Sequence, residues 1–253
     1  MYLDCIDDPG NCFIIYWAKA DFGLIKFEYS GLIFSNAEGL VIERSTLRKV
    51  KKPVINKATE FNNKYLKASL SMEGTDEGII STLFSDHKNN ELIWNCHHPK
   101  ALADIRYNDR IYKGFGYAET LFSSIEPWNL PIDELRWGRY LSGSDTVIWI
   151  MCKGKDSINK LFHNGIEYND AIKENDTIVF DGGMCQLKFS EIQHLRKGKL
   201  SELFSKMPFL RIFLNKHILK TLEIKYKART AFYKNSLLLS NGWSLYEIVT
   251  WEK

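Results

Sequence analysis

A chain of 253 residues, 45% hydrophobic and 13% aromatic, can build a substantial core, as one large all-β domain or two modest ones. Its formal charge of +3 is too small to argue for nucleic acid or an acidic substrate, and no nucleic-acid partner is expected. Five cysteines, at 5, 12, 96, 152 and 185, form no CxxC pair, which argues against a disulfide framework and a zinc ribbon and leaves reduced thiols and no metal site as the expectation.

The opening MYLDCIDDPGN lacks the basic start and apolar run of a signal peptide. No segment reaches the ~18 uninterrupted apolar residues of a membrane span, so the expected protein is soluble and cytoplasmic. Short runs rich in β-branched and aromatic residues then recur between Asp, Asn and Gly: CFIIYWA, LIKFEYSGLIFS, YLKASLSM, GIISTLFS, ELIWNC, ALADIRY, IYKGFGYAE, LRWGRYLS and TVIWIMCK. Beyond Lys153 the texture resumes in GIEYND, TIVFDG, CQLKFS, KARTAFYK and LYEIVTW. This rhythm predicts an all-β sandwich or barrel, with period-two alternation marking sheets that bury one face.

Glu191 to Leu222 breaks the rhythm. Leu200, Leu203, Phe204, Met207, Leu210, Phe213 and Leu214 recur at three- and four-residue intervals and predict a helix interrupted near Pro208. Twelve Lys or Arg against three acids between Lys188 and Lys234 make the region basic. Such a helix can contact a membrane surface peripherally, while the broad spread of its apolar residues suits packing on its own domain.

The chemistry concentrates between Trp94 and Trp149. In IYKGFGYAETLF, alternation places Phe115, Tyr117, Glu119 and Leu121 on one face and Gly114, Gly116 and Ala118 on the other, so a carboxylate stands in an apolar row. The glycines lack the third member of a dinucleotide fingerprint and mark a bulge, a bend or the close approach of another backbone. In ELIWNCHHPKA, Leu92, Trp94, Cys96 and His98 share a face, with His98 the inward and His97 the outward candidate. His98 is either a proton-transfer residue or a hydrogen-bonded structural one. In LRWGRYL, Leu135, Trp137, Arg139 and Leu141 share a face, and a buried Arg139 needs a partner, with Glu119, Glu126 or Glu134 as alternatives. Paired with Arg139, Glu119 stays ionised; in an apolar pocket without it, its pKa rises and it can donate a proton.

The runs W-N-C-H-H-P-K-A, Y-K-G-F-G-Y-A-E and L-R-W-G-R resemble the core of the carotenoid 1,2-hydratase (hydroxyneurosporene synthase) family and its lipocalin-like relatives, kievitone hydratase and Diels–Alderases among them. The resemblance implies two lipocalin-like β-barrel parts, 1–125 and 126–253, the second with a short helical insertion near 191–222. It also implies cofactor-free protonation of a C=C bond followed by capture of the cation by water. Carried over by position, Tyr117 and Glu119 fall on the hydratases' G-Y-x-D, Trp94 with His97 or His98 on the upstream Trp/His segment, and Trp137 and Arg139 on W-G-R. Glu119 replaces Asp, and Thr120-Leu121-Phe122 replaces the following Asn-Trp-Gly. The implied roles are Glu119, Tyr117 and His98 in catalysis, with Trp94, Phe115, Trp137 and Arg139 binding a lipophilic isoprenoid- or polyketide-like substrate. The alternative is a non-catalytic lipocalin-like carrier of a hydrophobic small molecule.

Overall fold

The computed structural model describes residues 1–22, 25–86, 90–125, 129–199, 202 and 220–251. The first half of the described chain forms β1 (Tyr2–Asp7), β2 (Cys12–Phe22), β3 (Ile25–Ser35), β4 (Val41–Thr46), β5 (Val54–Ile55), β6 (Ala58–Asn63), β7 (Ala68–Gly74), β8 (Ile79–Ser85), β9 (Glu91–Tyr107) and β10 (Arg110–Ser123). The second forms β11 (Ile132–Leu141), β12 (Thr146–Gly154), β13 (Ile158–His163), β14 (Ile166–Tyr168), β15 (Ile172–Glu174), β16 (Thr177–Phe180), β17 (Cys185–Lys199), β18 (Leu222–Lys234) and β19 (Leu237–Thr250). They make two antiparallel sheets, ordered β4-β3-β2-β1-β10-β9-β7-β6-β5, with β8 beside β9, and β14-β13-β12-β11-β19-β18-β17-β16-β15. The expected all-β, two-part lipocalin-like architecture is therefore present.

Contacts divide the chain into a first unit of residues 1–84 and 92–122 and a second of 85–91 and 123–253. Each has its own core. In the first, alternation does the work: β6 buries Thr59, Phe61 and Asn63 and exposes the residues between. Leu3, Cys5, Phe13, Ile15, Leu32, Phe34, Leu70, Met72, Ala103 and Ala118 form one cluster. Each large apolar side chain buried there contributes about 1.5–3 kcal/mol of transfer free energy. In the second, Tyr140, Trp149, Phe180, Leu187, Ala228 and Phe232 do the same. All five cysteines are buried free thiols.

Beside the second core lies a polar network. Asp145 accepts hydrogen bonds from Ser144 and Ser240, each at 2.6 Å on Oδ2, while His163 Nε2 lies 3.1 Å from Oδ1. Burial pushes the Asp145 carboxyl up, but these bonds outweigh it and hold the group below its ordinary range.

Gly114 and Gly116 are explained by β1. A Cβ on Gly114 would stand 2.0 Å from the Ile6 carbonyl oxygen, and one on Gly116 2.8 Å from the Asp4 carbonyl oxygen and 2.9 Å from Ala103 Cβ. Of the three readings of these glycines, close approach of another backbone is the one observed. Through Ala118, their face of β10 looks onto the first core.

The helix expected from Glu191 does not begin there. β17 runs on to Lys199, its residues Gln193–Lys199 opposite Lys227–Leu222 of β18, with irregularities after Ser190 and His194 and a left-handed φ of 48° at Glu191. Cross-strand pairing overrides local spacing over this stretch. The residues whose spacing suggested a helix, Leu200 to Leu214, lie outside the described residues.

Candidate functional site

β10 is placed by β1 on one side and β9 on the other. The β1 register sets Tyr2 opposite Glu119, Leu3 opposite Ala118 and Asp4 opposite Tyr117. Since Leu3 and Ala118 belong to the first core, Tyr2, Asp4, Tyr117 and Glu119 lie on the reverse face of the sheet. That face is buried too: Tyr117 and Asp4 have no exposed surface, and Trp94 has 1%. The Tyr2 ring meets Tyr117 and Tyr16 edge-on, at 6.0 and 5.4 Å between centroids.

On this face the Trp94 indole Nε1 donates to Glu119 Oε2 at 2.5 Å, and the Tyr117 hydroxyl donates to the same oxygen at 2.5 Å. Burial pushes the Glu119 carboxyl up from its ordinary 4.5. The two donors pull it back and nearby Asp4 adds to the rise, but burial prevails and the carboxyl stays raised. Burial, with Cys96 and Glu119 as neighbours, drives the Tyr117 hydroxyl well above its ordinary range, so it remains a donor. The Cys96 thiol, hydrogen-bonded with Tyr117, is likewise pushed well up by burial.

The chemical consequence lies in the asymmetry of the carboxyl group. Two donors converge on Oε2, which suits the carbonyl-type oxygen of a neutral acid and leaves Oε1 to carry its proton. When that proton leaves, the charge develops next to two preorganised donors. A carboxyl so placed can donate a proton and keep its conjugate base hydrogen-bonded.

The remaining sequence-derived candidates divide. Phe115, opposite Ile6, shares the Glu119 face and is half-buried. His98 is buried, but its Nε2 lies 2.9 Å from Thr59 Oγ1 and its ring packs at Gly74; burial lowers its pKa. Trp137 and Arg139 stand in the second sheet on β11, where Arg139 pairs with Ile148 and Leu245. Arg139 has no exposed surface and donates to the Trp243 carbonyl oxygen at 3.2 Å. The bonds to the Glu119 carboxylate come from its own sheet.

Sequence reasoning missed Asp4 and Tyr2. The run YLDCIDDPGN was weighed only against a signal peptide, yet Tyr2–Asp7 is buried on both faces because β1 occupies the middle of its sheet. An acid, Asp4, set directly between the apolar Leu3 and Cys5 was the available signal.

No family profile matches the sequence, and no curated protein matches it. The fold does have solved counterparts. Kievitone hydratase from Nectria haematococca superposes with a TM-score of 0.60 at 8% identity, over 98% of this chain and 87% of that one. An AttH candidate from Nitrosomonas europaea gives 0.59 at 9%, over 98% and 90%. CghA, crystallised with Sch210972, gives 0.53 at 8%, over 98% and 86%. At these identities the likeness is one of fold.

Proposed function

We propose that the chain is a cofactor-independent lyase- or cyclase-type enzyme acting on a lipophilic substrate, isoprenoid-like or polyketide-like, with Glu119 as its proton donor. The observation that carries this reading is the convergence of Trp94 Nε1 and Tyr117 OH on one oxygen of a buried carboxyl whose pKa is raised. The two side chains that bond the carboxyl are neutral donors, and although the Met1 ammonium also favours its charged form, burial keeps the acid raised. The fold shared with a hydratase, and with a protein crystallised around a small molecule, supports the same reading.

In the hydration form of the reaction, the alkene π pair takes the Oε1 proton and forms a C–H bond, leaving a cation at the neighbouring carbon. Trp94 and Tyr117 hold the carboxylate so formed. Water adds its lone pair to the cation, and the carboxylate recovers the proton that this water loses, restoring the acid. Tyr117 and Trp94 are positioning residues in this scheme, and Glu119 is the catalytic one.

The test is turnover of a panel of isoprenoid and polyketide alkenes in heavy water, read by mass spectrometry. Wild type is expected to give a product with carbon-bound deuterium, and Glu119→Gln none. Equal conversion by both proteins, or no conversion of any alkene in the panel by wild type, would sink the proposal.

A further inference from the structure

The opposite side of β9 and β10 carries a second set of polar groups. His97 Nε2 lies 2.9 Å from Thr120 Oγ1, one position away on each strand from the residues that build the Glu119 site. The two line a cavity of about 350 Å³ with Asn95, Lys52, Ile55 and Ile93. This is within the range of roughly 300–1,000 Å³ common for small-molecule sites.

Several observations give the cavity a chemical character. Its walls are mainly aliphatic and aromatic, yet Lys52 enters at one side, its ammonium 5.8 Å from the centre of the Trp17 ring. The Met1 ammonium, which donates to the Trp17 carbonyl oxygen at 2.9 Å, adds a second positive group beside Lys52. Trp17 alternates along β2 with Phe13 and Ile15, both members of the first core, and the Met1 side chain both packs on that core and lines the cavity. The cavity therefore opens on the core side of the sheet, and Glu119 lies on the other. Lys52, the nearby Met1 ammonium, a His–Thr pair and an apolar wall describe a ligand with a single anionic end and a hydrocarbon body.

We propose that this cavity is a binding site for an aliphatic carboxylate, its head between Lys52 and the His97–Thr120 pair and its chain along Ile55 and Ile93. The site does not rest on proton donation by Glu119. It gives the protein a second, independent way to recognise amphiphiles.

Calorimetric titration of the full chain with decanoate and with 1-decanol tests it. Decanoate is expected to bind saturably at one site and about tenfold tighter than decanol, a preference of about 1.4 kcal/mol. Lys52→Met removes that preference while the alcohol still binds, and Ile93→Trp, which fills the cavity, abolishes both. Absence of saturable decanoate binding, equal affinity for acid and alcohol, or a full preference retained in Lys52→Met would overturn the site. Because alkene turnover is read separately, that result would leave the catalytic reading standing.

Discussion

The indole N–H of Trp94 reaches Oε2 of Glu119 at 2.5 Å, joining neighbouring strands through side chains that lie 25 positions apart in sequence. The bond has a direction that matters: it favours the charged form of the acid, against the burial that disfavours it. Replacing Trp94 by Phe keeps the ring and removes the donor. The Glu119 pKa is then expected to rise further, and stability to fall by about 1–3 kcal/mol, as read by carboxyl-carbon NMR titration and urea unfolding. A pKa that falls or stays put in Trp94→Phe would contradict the assignment.

Tyr117→Phe removes the other donor. The transition-state charge on Oε2 loses one of two stabilising groups, so turnover is expected to fall by roughly 10²-fold. KM for the alkene should change little, because the hydroxyl bonds to the acid. A mutant impaired only in KM would mean that Tyr117 contacts substrate instead.

Stability should carry the signature of the raised acid. Glu119 in the folded protein retains its proton over a pH window above 4.5 in which an unfolded Glu has lost it. The folded state binds more protons there, so stability is fully present below that window and is lost as pH rises through the folded pKa. Glu119→Gln is expected to flatten this dependence in urea melts taken across the window. Asp4→Asn removes a charge that raises the Glu119 pKa, so any acid-limited turnover profile should move to lower pH. A move to higher pH would show that Asp4 acts on the site in another way.

In the second unit the sign is reversed. Asp145 is held below its ordinary value of 3.8, so its contribution is present above that pH and disappears as pH falls through the folded value. Asp145→Asn, which removes the charge accepting from Ser144, Ser240 and His163, should cost about 1–3 kcal/mol at neutral pH. It should also weaken the acid dependence of unfolding, measured in the same urea series.

Glycine packing offers a sharper contrast. Gly114→Ala drives a methyl group into the Ile6 carbonyl and is expected to cost about 3 kcal/mol or more, because two strand backbones must part. Gly143, where an added Cβ meets nothing within 4 Å, is the control. Gly143→Ala should leave the thermal midpoint nearly unchanged.

How far the sequence could be read depended on which question was asked of it. Alternation assigns a face, and so it grouped Tyr117 with Glu119 and Trp94 with Cys96. It does not say which strands become neighbours, and so it stayed open whether the acid pairs with Arg139 or stands in an apolar pocket without it. The indole of Trp94 was expected to bind substrate and Tyr117 to serve catalysis, whereas in the structure their N–H and O–H both donate to the acid. Asp4 was hidden for a related reason: a central strand buried on both faces shows no polar and apolar alternation. From Glu191 to Lys199 the helical reading failed because β18 offers a long pairing edge, and a strand with two irregularities can exploit it despite poor local periodicity.

The position of β1 also bears on how the acid site comes into being. Tyr2 of β1 lies opposite Glu119, roughly a hundred or more residues away along the chain, while Trp94 reaches the acid from β9 on the other side. Closing so long a loop is costly in chain entropy and slow. The proposed proton donor thus takes its hydrogen bonds from its own strand and a neighbouring one and part of its cover from a distant pairing, so its raised pKa should emerge only once β1 has docked. Any change that loosens β1, wherever it lies, will show itself as lost proton transfer before it shows itself as lost secondary structure.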